Sequence, residues 1–371
     1  MKETKWNVEM LQKELAEIVN IDSGSSDKDG VAAVCSWFED RFLREGFPFV
    51  QIGEESTQLQ VQTHEQDLFD VLLVGHMDTV FPKGTAAQRP YHEENGKAYG
   101  PGVADMKAGL VLILHIMKRL RIERPDLKLC AAFSGDEEIG SDSTAEWLKS
   151  LAERSRFALV LEPGREGNGF VRSRKGCADL RVKFYGKAAH AGNAPERGIN
   201  TVVAMAEWIR KLYVFHQPET GTTVNPGLVW GGTAKNVIPD YAEAVFDIRF
   251  MEAEALEKIC GKAEELAANP PVAGIRTEIS LEGVFPPMTP SEETKEYMSK
   301  LEKIAASFDC SIGWKDAGGV SDANHIASVG TPVLCGCGPV GGELHSEREW
   351  LDLTTIEPRL KLLYALICDL R

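Results

Sequence analysis

Short apolar runs recur through the first half of this chain. Each is soon followed by a side chain able to bind a metal ion or carry a proton. The first, Val71-Leu72-Leu73-Val74, has the length and composition of a strand buried on both faces, and it runs into Gly75-His76-Met77-Asp78. Residues 127–133 form the next, ahead of Asp136-Glu137-Glu138, and residues 157–161 the one after, ending against Glu162. Between and around them, residues 8–19, 31–47, 110–120 and 143–151 carry apolar positions at helical spacing. A strand buried on both faces needs cover on both sides, so this alternation predicts an α/β domain with a mostly parallel sheet flanked by helices. In such a sheet the loops at the carboxyl ends of the strands gather in one crevice.

The pattern changes near Lys175-Gly176. Residues 178–184 alternate apolar with polar, as a half-exposed antiparallel strand does. A helix at 198–213, strands at 228–230 and 242–250, a helix at 252–268 and a strand at 276–282 complete a β-α-β-β-α-β block of α+β, ferredoxin-like type. The earlier pattern then resumes, with helices at 292–308, 322–328 and 354–370 and short strands at 313–314 and 332–334. The expected organisation is therefore a discontinuous domain, 1–174 and 285–371, interrupted by an inserted domain, 175–284. The turn cluster Asp22-Ser23-Gly24-Ser25-Ser26 is expected to cap the second helix, and the stretch between that helix and Val71 reads as a polar connection.

A chain of 371 residues exceeds what a single core usually supports, which agrees with two domains. Its net charge of −15 argues against nucleic acid as a partner. No apolar stretch approaches the length of a membrane span, and Met1 to Trp6 show no basic-then-apolar leader. Eight scattered cysteines in a large chain suit the reduced thiols of a cytoplasmic protein. Cys335-Gly336-Cys337 follows an apolar run and reads as a strand end rather than a thiolate site.

His76, Asp78, Asp105, Glu137, Glu138 and Glu162 all lie near predicted strand ends or helix starts. Carboxylates converging on one crevice repel one another unless cations neutralise them. Helix capping accounts well for Asp136 but poorly for the set as a whole. At this point the motifs become specific. His76-Met77-Asp78-Thr79, Tyr99-Gly100-Pro101-Gly102-Val103-Ala104-Asp105-Met106-Lys107, Asp136-Glu137-Glu138-Ile139-Gly140-Ser141 and Leu161-Glu162-Pro163 resemble the co-catalytic zinc peptidases. That family includes glutamate carboxypeptidase, aminoacylase, acetylornithine deacetylase and succinyl-diaminopimelate desuccinylase. The likeness continues in family order through Gly186 to Gly192, Gly231 to Arg249, Ser321-Asp322-Ala323-Asn324 and Gly342-Glu343-Leu344-His345-Ser346. Overall it looks nearest to the glutamate carboxypeptidase branch.

The resemblance implies two zinc ions per subunit, with Co²⁺ or Mn²⁺ as substitutes. His76 and Glu162 would hold one, Glu138 and His345 the other, and Asp105 would bridge them. It further implies a hydrogen bond from His76 to Asp78, a cis peptide bond between Asp105 and Met106, and Glu137 as the base that takes a proton from the attacking water. In the inserted domain, His190 resembles the histidine that reaches a partner subunit's site and stabilises the oxyanion, which implies a homodimer formed through that domain. Asn236 and Arg249 match substrate-binding positions, Arg249 offering a planar fork to a substrate carboxylate. The alternative for Arg249 is a strand residue paired with Asp247 or a surface acid. Gly318-Gly319 either lets backbone approach the substrate or forms a plain turn, and Val320 stands where the family often has a smaller residue.

The expected activity is hydrolysis of the amide bond in a peptidyl or N-acyl amino acid with a free carboxylate, of the glutamate carboxypeptidase type. The alternative is an N-acyl-amino-acid deacylase using the same chemistry. A dehydrogenase reading of Gly336-x-Gly338-x-x-Gly341 fails on context, because Pro339 lies inside the motif and no further βαβ unit follows. A non-catalytic binding protein on this scaffold is the remaining alternative, and the complete set of ligand and base positions speaks against it.

Overall fold

The computed structural model describes residues 5–53, 58–65 and 67–370; the readings made of residues 1–4, and of 54–57 and 66 in the polar connection, lie outside them. Two compact units result. One comprises the residues through Ser173, Thr289–Ala317 and everything from Ser321 on; the other comprises Arg174–Met288 with Gly318–Val320.

The first unit is built on a six-stranded sheet in the order Phe49–Ile52, Gln58–Gln62, Leu129–Ser134, Val71–His76, Ala158–Val160, Val333–Leu334. The last four strands run parallel, and the first two pair antiparallel at one edge. The expected mainly parallel sheet is therefore present. The polar connection, however, contains two strands. Their glutamines alternate with Leu59 and Val61, which are buried while the glutamines are not. That is the signature of an edge strand with one wet face.

All six residues of Val71–His76 are buried, as a central parallel strand requires. Helix Ala108–Glu123 covers it and is itself buried from Ala108 through Met117, so it is apolar nearly all round rather than amphipathic. It approaches closely because residue 109 is glycine: a Cβ there would lie 2.1 Å from the Leu161 carbonyl oxygen. Helices Val8–Val19, Lys28–Arg44, Glu292–Ser307 and Ile356–Cys368 contribute further to this core.

The sheet order carries the functional consequence. After Val71–His76 the chain places Leu129–Ser134 on one side of it and Ala158–Val160 on the other. The connections thus leave in opposite directions, and a crevice opens at the carboxyl end of the central strand. His76 lies at that end, in register with Ser134.

The second unit is a four-stranded antiparallel sheet, Thr223–Gly231, Tyr241–Phe250, Gly176–Tyr185, Arg276–Phe285, with helices Thr201–Leu212 and Ala253–Ala268 against it. Gly176–Tyr185 and Tyr241–Phe250, first and third in chain order, are central, the ferredoxin-like arrangement expected of a β-α-β-β-α-β chain. Leu180, Val182, Phe184, Phe246 and Ile248 form one buried core with Trp208 of the first helix. Strand Thr223–Gly231 is longer than its apolar centre suggested, because backbone pairing with the neighbouring strand begins at Thr223.

Candidate metal centre

His76 closes the central strand with only 1% of its surface exposed. Its Nδ1 lies 3.0 Å from the Asp78 carbonyl oxygen and 3.4 Å from Asp78 Oδ1. With a carbonyl as nearest partner, Nδ1 carries the hydrogen and donates it. Nε2 faces the crevice, 3.2 Å from Asp105 Oδ1, 3.7 Å from Glu162 Oε1 and 3.9 Å from Glu137 Oε2. The Asp78 carboxylate, expected chiefly on His76, serves mainly elsewhere. It accepts the backbone N–H of Glu137 at 3.2 Å and of Glu138 at 3.1 Å, and the Ser25 hydroxyl at 2.7 Å. It therefore fixes the turn that presents both glutamates.

Asp105 sits in a tight turn, Val103–Lys107, followed directly by the buried helix, and its peptide bond to Met106 is cis. Its two carboxylate oxygens diverge: Oδ1 faces His76, and Oδ2 lies 3.3 Å from Nε2 of His345. The same His345 nitrogen is 3.3 Å from Glu138 Oε2. Three groups bring potential ligand atoms within 4.8 Å of one another: His76–Asp105–Glu162, Asp105–Glu138–His345 and His76–Glu137–Glu138. The first two share Asp105.

The electrostatics show a cluster short of positive charge. Burial disfavours an imidazolium at His76, yet hydrogen bonds to Asp105 and Asp78 and the charge of Glu137 raise its pKa well above the ordinary value. The hydrogen bond to Asp105 raises His345 to about 9 against its partial burial. Burial opposes ionisation of Asp105, but the two imidazoles hold its carboxyl well below the usual range. Burial pushes Glu138 up to about 8, and it pushes Glu137 far up as well, with Glu162, Asp322 and Glu138 adding to the effect on Glu137. Carboxylates crowded this way draw protons onto the rings. A divalent cation supplies the same charge more completely. Glu138 Oε1 is buried without any hydrogen-bond partner, as befits an oxygen reserved for a cation. The residues fit a metal.

Further carboxylates outside the predicted ligand set complete the frame. The carboxylate of Asp322, at the start of helix Asp322–Ser328, accepts the hydroxyls of Ser134 and Ser141 at 2.5 and 2.8 Å and so braces the glutamate turn on both sides. Asp22 accepts from the N–H of Gly84 and Ala86 at 2.7 and 2.8 Å. The turn cluster 22–26 thus ties loops together. It does not cap the second helix, whose N-cap is Asp27 without a side-chain bond. Asp136, expected to cap a helix, accepts from Ser143 N at 2.7 Å ahead of helix Ala145–Glu153, whose N-cap is Thr144 without a side-chain bond. Glu349, 2% exposed, accepts three backbone N–H groups of the Asp105 turn. Glu349 has no sequence signal of its own, and the partners of Asp22 and Asp322 have none: acids and serines in turns look alike until the chain is folded.

The remaining singled-out residues belong to the second unit. His190 lies in the two-residue strand Ala189–His190, exposed, and its Nδ1 accepts the N–H of Gly192 and Asn193 at 3.1 and 3.0 Å. That assigns the hydrogen to Nε2, which is left as a donor. Asn236 holds the same turn through its carbonyl, which accepts Ala191 N at 2.9 Å. The Arg249 guanidinium is engaged by Asp247, Nε to Oδ1 at 3.0 Å and Nη2 to Oδ2 at 2.7 Å. Gly318 and Gly319 face open space, where an added Cβ would meet nothing within 4 Å.

Residues 72–369 match the family described as Peptidase family M20/M25/M40. The chain belongs to this family. Carboxypeptidase G2 of Pseudomonas sp. (strain RS-16) is 29% identical over 369 residues, which cover 96% of this chain and 88% of that protein. Acetylornithine deacetylase of Proteus mirabilis (strain HI4320) is 26% identical over 317 residues, covering 80% and 78%. Among solved structures, aminopeptidase PepT from Bacillus cereus ATCC 10987 superposes with a TM-score of 0.79 at 22% identity, over 97% of this chain and 98% of that one. The resemblance read from the motifs is borne out. The M20 chain is an enzyme, a metal-dependent hydrolase of the peptidase or deacylase type. Among the described residues no helix is long and apolar enough to cross a membrane.

Proposed function

We propose that this M20 enzyme hydrolyses the amide bond of a peptidyl or N-acyl amino acid with a free carboxylate, using two divalent cations. His76 and Glu162 hold one, Glu138 and His345 the other, and Asp105 serves both. The observation that carries this reading is the divergence of Asp105: Oδ1 lies 3.2 Å from one imidazole and Oδ2 3.3 Å from the other, each imidazole with a glutamate of its own. The nitrogen and oxygen donors suit Zn²⁺, with Co²⁺ or Mn²⁺ as substitutes. When bound, the cations supply Lewis acidity, polarising the substrate carbonyl and making water more acidic.

Glu137 is the base. Its carboxylate takes a proton from water as the water oxygen attacks the carbonyl carbon; the C–N bond then breaks, and the same carboxyl returns the proton to the leaving nitrogen. Asp78 keeps Glu137 in place through its backbone N–H. His190 contributes its Nε2–H to the oxyanion of a second copy's site. In support, Nδ1 is already committed as an acceptor, and edge strand Thr223–Gly231 presents Leu228, Val229 and Trp230 at about half exposure, a surface suited to a homodimer. Arg249 exchanges Asp247 for the substrate carboxylate, and Asn236 and the Gly318-Gly319 turn contribute further substrate contacts; the motif resemblance supports that set. The cysteines are free of disulfides, in keeping with a cytoplasmic enzyme.

Release of a C-terminal glutamate is the favoured reaction, supported by near full-length similarity to carboxypeptidase G2. N-acyl-amino-acid deacylation is the second reading, supported by the similarity to acetylornithine deacetylase. A panel of peptidyl and N-acyl amino acids on zinc-loaded and chelator-treated protein separates them. Full turnover after complete metal removal would sink the mechanism. Turnover of acyl substrates alone would select the deacylase.

A further inference from the structure

One buried carboxylate holds the turn that carries Asp105. Glu349 Oε2 accepts Gly102 N at 3.0 Å, and Oε1 accepts Ala104 N at 2.8 Å and Asp105 N at 2.9 Å. Charge-assisted bonds of this kind are roughly twice as strong as neutral ones. All three donors belong to a single turn, so the carboxylate sets the position of its backbone as a unit. Gly102, where the turn begins, has φ of +72°, a left-handed conformation that favours glycine.

The acceptor comes from the segment that also carries His345. Glu349 donates its own N–H to Ser346 O at 3.3 Å, and Trp350 pairs with Tyr99 in a small antiparallel sheet. Glu349 therefore links the backbone of Asp105 to the turn presenting His345. The two sides of Asp105 are not equally secured otherwise. His76 ends a buried strand, and the backbone of Glu162 is held by Gly338 N at 2.8 Å. The His345 side chain is 54% exposed, and its backbone has φ of +60°.

We propose that Glu349 is a positioning residue for the Asp105–Glu138–His345 cation site, keeping Asp105 Oδ2 beside His345 Nε2 so that both would be available to one ion. The inference rests on the two-cation reading. Loss of the Glu349 carboxylate frees the Asp105 turn and the His345 turn together, so it weakens that site more than the His76–Asp105–Glu162 site.

The test is metal binding by chelator competition, with Zn²⁺ and Co²⁺, on the full chain and on Glu349→Ala, Glu349→Gln and His345→Ala, with folding of each metal-free protein followed by circular dichroism. His345→Ala marks which binding step belongs to the second site. In Glu349→Ala that step should weaken about 10–100-fold, the usual loss when a group supporting a ligand is removed. The first step should stay within a few-fold. In Glu349→Gln, one oxygen remains for Ala104 and Asp105 while an amide NH₂ meets the Gly102 N–H, so the loss should be intermediate; this isostere decides the matter if the alanine variant does not fold. Wild-type affinity at both steps in Glu349→Gln and in any folded Glu349→Ala overturns the inference while leaving the two-cation reading intact. Equal weakening of both steps also overturns it. A parent chain that binds only one ion overturns the two-cation reading, and the inference with it.

Discussion

Replacing Glu137 with glutamine separates the base from the frame that holds it. The side chain is only 9% exposed, and glutamine matches its shape, so the turn held by Asp78 should persist. Glu137 belongs to neither of the two groups that share Asp105, so both cations should remain. What disappears is proton transfer, which contributes typically 10²–10⁴-fold. The expected kcat is lower by that factor, about 3–5 kcal/mol in barrier, with KM little changed. The assay is turnover of a peptidyl glutamate at saturating substrate, with metal content measured on the same sample. Activity within tenfold of the parent at full metal content would refute Glu137 as the base. A second readout needs no substrate. Burial, with neighbouring acids adding to it, raises the Glu137 carboxyl well above 4.5 in the metal-free fold. A folded-state value above the unfolded one contributes stability that is fully present below about pH 4.5 and lost as pH rises. Metal-free Glu137→Gln should therefore melt above the metal-free parent at pH 8 and converge with it near pH 4; equal melting at both would remove the electrostatic argument.

Asp105→Asn keeps one carbonyl oxygen and places an amide NH₂ toward the other imidazole, so stoichiometry should fall from two ions to one; two tightly bound ions in the variant would contradict the shared role. A heterodimer of a His190→Ala chain with a Glu137→Gln chain should recover activity at one of its two sites. A verified mixed dimer with no recovery would confine His190 to its own chain or to no role. Away from the centre, Glu14 is 1% exposed and bonded to His115 Nε2 at 2.6 Å. Burial raises its carboxyl, but His115, Lys118 and Arg41 prevail and leave it below 4.5. That contribution is present above the unfolded value and lost as pH falls through the folded one. Glu14→Gln should thus destabilise the fold at pH 7 and much less at pH 3; a Tm difference that does not shrink on acidification would refute this account.

The parallel strands were legible because burial on both faces leaves a local pattern of apolar residues. The edge strands were not: the glutamine-rich alternation of Gln58–Gln62 imitates a loop, and Phe49–Ile52 is four residues with no buried side. The candidate ligands could be read because each follows an apolar run or lies in a motif. Their supports could not. Glu349 accepts from residues about 245 positions earlier in the chain, and Asp322 from hydroxyls about 180–190 positions away. Such pairings exist only after folding and leave no spacing to recognise. Arg249 shows the converse. Its residue type was informative, but its neighbour Asp247 occupies the fork that the motif assigns to substrate.

The small sheet that pairs Trp350 with Tyr99 has a consequence for the order in which the protein becomes active. A chain emerging from the ribosome has made His76, Asp105, Glu137, Glu138 and Glu162 long before His345, Glu349 and the sheet strand Val333–Leu334. Until that last segment docks beside Lys97–Tyr99, the Asp105 turn lacks its clasp and one of the two rings is absent. Completion of the His345 side of the cluster is thereby tied to the pairing of Trp350 with Tyr99, a contact between segments far apart in the chain.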